Sequence, residues 1–483
     1  MRNTRVATTV LLAALAALLA VPPSRADDQR VVDALNAPAK SISDAGRSWK
    51  PVFDAYLAAS AAPAVEGGLS AGNVWPGMKE WDAVKAWAAA NPGIGEALRK
   101  AETMVAFAFP YGRGSVPPGY AEKGICVGIG DGLDVASADP AYLKAIGVLD
   151  AWVTAEMYRL AEEGKFDESF GLGLACMRFL RQVADQHLIA EKVAAMRALC
   201  DMAAVQRDVL QTYLDKVPAE VVRKYARAGY SALRAADGER LRRIAMPEGD
   251  RVLAEALIAQ VFDAAGQPDG ERFVQAMSAV QSSREPLGSF GAARRWTEIA
   301  RVHGSLDATR IRLASIYDDW WRRWRARYYD TLLDNPTVIG KTNPMRYALV
   351  LGATSDLAGL FPLRQWLNAE LNGTALAFGV AAYWRGSGSW PTGIDATYGV
   401  STAKRTDFDP WDRQRGRWLY ERLAAPRAID TAYGQVQVAG AVIYARGVDG
   451  QDGLAKAASV DGLTGDFVAW PALRAVSRGA VAK

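Results

Sequence analysis

The run DDWWRRWRARYYD, residues 318–330, interleaves arginines with aromatic rings. On a helix, Trp320, Trp324 and Tyr328 recur at i, i+4 and i+8 along one stripe, while Arg322 and Arg323 point elsewhere. Guanidinium charge beside exposed rings binds single-stranded nucleic acid or lipid headgroups by stacking and ion pairing. Trp320, Trp324, Arg322 and Arg323 are therefore candidate binding residues for a polyanion. The same pattern also suits a plain amphipathic helix with an aromatic core face and a solvated basic face. Asp318, Asp319 and Asp330 bracket the run and dilute its charge.

Material for catalysis is thin. The chain has two histidines, His187 and His303, far apart and in helical context. A His-based metal centre or a Ser-His-Asp triad has little to draw on. A glycosidase needs two carboxylates facing one aromatic-lined cleft. Trp75, Trp81 and Trp87 with Glu80 and Asp82 form the suggestive local grouping. Yet spacing of i, i+2 on a helix sends Glu80 and Asp82 to different faces. Trp81, Val84, Trp87 and Ala88 also read as a core stripe. The glycines Gly128, Gly130 and Gly132 do not make a dinucleotide fingerprint. The third is misplaced, and Asp134 and Pro140 interrupt the helix that should follow, so a turn is expected. Cys126, Cys176 and Cys200 are too few for a disulfide framework. Either Cys176 pairs with Cys200 or all three are buried thiols.

These groups sit in a chain of 483 residues, half of them apolar, enough for two or three domains with real cores. Residues 1–26 read as a cleavable secretory signal. Arg2 and Arg5 precede the uncharged run Val6–Val21, and Ser24-Arg25-Ala26 offers small residues at the cleavage point before Asp27. The apolar run is shorter than the roughly 20 residues of a spanning helix. No later segment is long and apolar enough to span. Removing three arginines and no acid from a net charge of +4 leaves +1, so no global pull toward nucleic acid or anionic membrane is expected. The expected localisation is periplasmic or secreted.

Beyond the signal, residues 27–140 mix short helices, turns and extended segments. Residues 141–340 are strongly helical. A helical hairpin turns at Glu163-Gly164-Lys165, and further helices are expected over 191–213, 218–235, 251–264 and 271–281. After Pro362 the pattern changes. A helix over 363–384 ends in a Gly/Ser turn closed by Pro391. Short β-like runs follow, RGRWLYE and QVQVAGAVIYA, among turn residues. The fold class is α+β: a mostly helical N-terminal and central region, then a helix-plus-antiparallel-sheet module over 363–483.

Within that module, Gly388-Ser389-Trp390-Pro391, then FDPWDRQRGRWLYE, VIYARGVDGQDG and TGDFVAW follow one another in order. This order resembles the C-terminal globular part of the major pseudopilin of type II secretion. That family has a G-x-Y-P-like helix end, a DPW segment, a YSLGADG corner and a closing DI-x-x-W. The likeness covers residues 364–471. The whole chain also resembles secreted proteins of planctomycete-type bacteria that carry this module at the C-terminus. The likeness implies a calcium site, with Asp449 in the GVDG corner and Asp466 before the last strand as ligands, and Asp452 and Asp461 adding oxygens. Calcium takes six to eight hard oxygens, and a Gly-rich loop gains order by closing on a cation. The loop from Gly450 to Gly465 is longer than the family's, and Asp-Gly is also a common plain turn, so both readings stay open. A pseudopilin has a short leader and an apolar filament-forming helix. This chain starts with an ordinary secretory signal, so filament assembly is not implied.

The expectation is a noncatalytic extracytoplasmic binding or scaffold protein. It has a pseudopilin-like, calcium-stabilised C-terminal domain and a protein or envelope partner, with no specific nucleic-acid partner. The alternatives are a secreted hydrolase acting on glycans, and a peripheral polyanion binder using the Arg/Trp helix.

Overall fold

A computed structural model describes residues 27–226, 244–284, 292–354, 357–399 and 408–479. The signal read at 1–26 lies outside these residues, as does the last part of the helix expected over 218–235. The fold is α+β. The first helices are α1 (Gln29–Asn36), α2 (Trp49–Ala58), α3 (Trp81–Ala90), α4 (Pro92–Ala101) and α5 (Pro118–Glu122). Asp28 caps α1 by accepting from the Arg30 and Val31 amides at 3.0 and 3.2 Å. This satisfies donors that a helix start leaves open. A two-residue antiparallel pair follows, β1 (Gly128–Ile129) and β2 (Ala138–Asp139). The glycine triplet lies at and just after β1. Gly130 N donates to Ser137 O at 2.9 Å, so the segment is a turn between strands.

The central helices are α6 (Leu143–Glu162), α7 (Phe166–Val183), α8 (Ile189–Thr212), α9 (Ala219–Lys224), α10 (Gly249–Val261), α11 (Gly270–Arg284), α12 (Ala292–Val302), α13 (Leu306–Arg325) and α14 (Ala348–Ala353). The α6–α7 hairpin turns at Gly164, where the sequence places it, with the Lys165 amide donating to Leu160 O at 2.9 Å. Helix α8 starts where Glu191 reaches back to the Leu188 amide at 2.9 Å. The expected disulfide alternative is settled: Cys126, Cys176 and Cys200 are all free and buried.

Helix α15 (Leu360–Ser387) is longer than its sequence signal. It stops at Gly388, whose φ of +73° is the left-handed cap. The strands after it are β3 (Leu419–Arg422), β4 (Arg427–Thr431), β5 (Gly434–Val438), β6 (Ala441–Ala445), β7 (Ala458–Ser459) and β8 (Asp466–Trp470), closed by the short helix α16 (Leu473–Ser477). The sheet runs β3-β6-β8-β7, with β7 parallel to β8 and the other neighbours antiparallel. Strands β4 and β5 form a separate hairpin with Thr431 opposite Gly434.

Helix α15 packs on α8 along one side and on β6 and β8 along another. It is buried nearly all round, which explains why it lacks an amphipathic pattern. Leu376 and Phe378 are fully buried, each worth about 1.5–3 kcal/mol of apolar transfer. Gly373 permits the close approach of helix and sheet: a Cβ there would lie 2.6 Å from the Ala469 Cβ. One continuous core therefore runs from Val31 to Trp470. A smaller one lies under the hairpin, around Ile429, Val438, Val442 and Tyr444. Among the described residues, no helix is long and apolar enough to cross a membrane.

Candidate functional site

The aromatic face of α13 is core. Trp320 is 1% exposed and Trp324 7%. The Trp324 Nε1 donates to Ile244 O at 2.6 Å, and the Arg364 guanidinium lies 4.4 Å from its ring centroid. Arg323 is equally buried. It donates to Asp319 Oδ2 at 2.9 Å and to Asn335 O at 2.9 Å. Of the four residues picked from sequence, only Arg322 reaches solvent, and its Nε donates to Asp318 O at 3.2 Å. The helix ends at Arg325, so Tyr328 does not continue the stripe. The exposed ring is the flanking Trp321, which holds Arg325 at 4.1 Å and donates to Glu248 Oε1 at 2.6 Å.

The other local groupings are also packed. Trp81 and Trp87 are buried, with their indole N–H groups on Glu162 Oε2 and Ser60 O at 3.2 and 3.0 Å. His303 is buried, with its Nδ1 2.9 Å from Gly304 O and its Nε2 accepting from the Leu349 amide. Burial lowers the pKa of both His303 and His187.

The acidic corner follows β6. Gly447, at φ +72°, is required there, because a Cβ would meet Gly465 O at 2.3 Å. Asp466 is 2% exposed and accepts from the Ala455 amide at 2.7 Å and the Gly453 amide at 3.4 Å. Burial raises its pKa. The two amides oppose this, and the charges of Asp452 and Asp449 add to it. Asp452 Oδ1 accepts from the Tyr444 hydroxyl at 3.1 Å and the Leu454 amide at 2.9 Å. Asp449 Oδ1 accepts from the Gln451 amide at 3.0 Å. Asp461 turns instead to Ser459 Oγ and the Leu463 amide, at 2.9 and 3.1 Å. Asp449, Asp452 and Asp466 thus share one electrostatic environment, and Asp461 serves its own turn. Among the described residues, no three acids, histidines or cysteines converge closely enough to form a ligand cluster.

A different constellation was not visible as a motif. A cleft of about 90 Å³ opens between α8, α15, the β4–β5 tip, β7–β8 and α16. Arg207 and Asp208 leave α8 about 100° apart, one toward α15 and one toward α16. Arg207 Nη2 lies 2.6 Å from Glu370 Oε2, an ion contact off the hydrogen-bonding direction. Its Nη1 donates to Thr374 Oγ1 at 2.5 Å. The Trp366 Nε1 holds the other oxygen of Glu370 at 3.1 Å. Asp208 receives the Arg474 Nε, and Arg478 stands 3.7 Å away. Arg478 in turn covers the Trp75 ring at 3.7 Å. The residues lining the floor, Arg207, Asp208 and Glu370, are 5%, 1% and 3% exposed.

The rim differs. Asp201 lines the cleft exposed and makes no ion pair among the described residues. Its carboxyl is nonetheless shifted up by desolvation within the concave wall, opposed by Arg474 and Arg197. Burial, followed by the charge of Asp201, pushes Asp150 behind it up to about 7. Tyr433, at the hairpin tip, hangs over the opening at 46% exposed. The sequence signal for this site is charge in apolar surroundings. Arg207-Asp208 interrupts a buried face of α8, Glu370 and Thr374 lie at i, i+4 in an apolar helix, and Arg474 in α16 and Arg478 just past its end repeat that spacing. No family model, curated protein or solved structure matches the chain.

Proposed function

We propose that the chain is an extracytoplasmic, noncatalytic binding protein that engages an envelope component through the cleft between α8, α15 and α16. The observation that carries this reading is the state of the cleft's inner carboxylates. Glu370 is held by Arg207, and Asp208 by Arg474 and Arg478. A hydrolase needs one carboxyl free to give a proton and another free to attack or to activate water. Here the two innermost acids are committed to guanidinium groups, Asp201 makes no ion pair among the described residues, and Asp150, whose pKa is pushed up to about 7, does not line the cleft. Such a site is organised to hold a ligand. Export is read from the signal-like residues 1–26. Asp27, the residue that follows, accepts from the Arg113 amide at 2.6 Å and the Ile129 amide at 2.7 Å.

In the same reading, the pseudopilin-like tail is reused for binding as one wall of the cleft, sharing its core with the central helices, and its corner holds calcium. Asp449 and Asp452 commit only Oδ1 to the loop among the described contacts. A cation there would draw on the Oδ2 atoms of Asp449 and Asp452 and on loop carbonyls, because Asp466 already gives both oxygens to the Gly453 and Ala455 amides.

The test is co-sedimentation of the full mature chain with washed envelope material. Wild type is expected to sediment, and Ala204→Trp, which fills the cleft from its α8 wall, to stay in solution with its melting temperature kept. Equal sedimentation of both would overturn the reading, as would release of reducing ends from the envelope glycan by the wild-type chain.

A further inference from the structure

Resting on the cleft as the binding site, we infer that its ligand is a neutral sugar unit of a longer glycan. Three features of the cleft carry this, each for its own physical reason.

The first is charge. The lining carboxylates Asp201, Asp208 and Glu370 are matched by Arg207 and Arg474, with Arg478 added from behind Asp208. Three negative and three positive groups make this set of six neutral overall. An anion or an ammonium ion would gain from one set of groups and lose to the other. A hydroxyl both donates and accepts, so it suits a wall of alternating carboxylates and guanidinium groups. The carboxylate left for such hydroxyls is Asp201 at the rim, which makes no ion pair among the described residues, since the floor groups are taken up by one another.

The second is the aromatic wall. Trp366 is half-buried, fixed through its Nε1 on Glu370, and Tyr433 projects exposed from the hairpin tip. A pyranose ring presents apolar C–H faces above and below its polar edge. Such a ring can rest on aromatic carbon while its hydroxyls reach Asp201 at the rim.

The third is size and opening. A water site needs roughly 10–15 Å³ on the scale in which this cleft measures about 90 Å³. That is room for a small cluster of waters or for part of a single sugar ring. The mouth at Asp201 and Tyr433 is open to solvent, so the rest of a glycan can continue outward. The buried floor is already paired before any ligand arrives, so its groups need not reorganise on binding.

The experiment titrates the full mature chain with cellobiose, maltotriose and N,N′-diacetylchitobiose. Galacturonate serves as the anionic control and glucosamine as the cationic one. Binding is read by calorimetry and by tryptophan fluorescence. At least one neutral sugar is expected to bind about tenfold more tightly than either charged control. Tyr433→Ala and Asp201→Asn should each weaken it about tenfold at unchanged melting temperature, and Ala204→Trp should abolish it. No neutral sugar binding at about 10 mM overturns the inference. So does binding that survives all three variants. If a charged control binds instead and Ala204→Trp removes it, the sugar falls and the cleft stands. If no probe binds and envelope sedimentation is also insensitive to Ala204→Trp, both fall.

Discussion

Helix α13 and the α8–α15–α16 cleft use the same residue types to opposite ends. Both are rich in arginine, aromatic rings and acids. In α13 these residues are neighbours in sequence, and the fold spends them on itself: Trp320 and Trp324 enter the core, and Arg323 satisfies Asp319 and two carbonyls. In the cleft they come from segments far apart, Asp208 meeting Arg474 across 266 positions, and they line a space left open. Local density of promising side chains therefore says little about a site. A helix at the surface, such as α13, has one buried face, and aromatic residues at i, i+4 are the ones it buries. A cleft needs several elements to leave a gap, and only tertiary packing creates one.

Several variants break or sharpen that contrast. The largest effects belong to the buried groups of both regions. Trp320→Ala should cost about 3–5 kcal/mol in chemical denaturation through the cavity it leaves, with no change in ligand binding per folded molecule. Glu370→Ala strands Arg207 and should cost about 3–5 kcal/mol. The double variant Arg207→Leu/Glu370→Leu should recover most of that, because removing both charges removes the desolvation penalty with them. A double variant as unstable as the single one would show that the ion pair is not what the floor depends on.

The acidic corner comes next. If calcium binds the folded chain alone, a concentration about 100-fold above the dissociation constant raises stability by about 2.7 kcal/mol. Melting in calcium against chelator checks this. Asp449→Ala with Asp466→Ala should erase the difference. No shift at millimolar calcium would remove the metal from the account.

A smaller effect is expected from Asp150. Burial first, then Asp201, raises its folded-state pKa from 3.8 to about 7. The folded chain therefore holds a proton that the unfolded chain has lost, and stability falls as pH rises from roughly 4 to about 7. After discounting for partial solvent access, the fall is about 2 kcal/mol. Unfolding curves across that range should show it, and Asp150→Asn should flatten the profile. The smallest effect is expected of Arg322→Ala, within about 0.5 kcal/mol of wild type. A large loss of envelope binding in that variant would return the site to α13.

The fold was legible where a local rule was sufficient. The turn at Gly164, the helices from Ile189 and Gly249, the long helix closing at Gly388 and the strands around Val436, Val442 and Phe467 all carry their own punctuation or period. Helix α15 showed itself through length and apolar spacing, but not through which neighbour each face meets, because it is buried against α8 and the sheet at once. The hairpin strand β4 passed unnoticed: RAIDT alternates weakly and buries only Ile429 well. The cleft was illegible as a site for a related reason. Apart from the adjacent Arg207 and Asp208, each of its floor charges is a single one on a buried helical face, where it reads as an exception rather than as part of a set. Their partners lie 163 to 266 positions away, beyond the reach of any spacing rule.

The most direct measurement sets the two regions side by side: retention of the full mature chain on washed envelope material for wild type, Ala204→Trp and Arg322→Ala, each verified as folded by its melting curve. The account predicts that Ala204→Trp loses retention while Arg322→Ala keeps it at the wild-type level. Retention that survives Ala204→Trp and is lost with Arg322→Ala would contradict it.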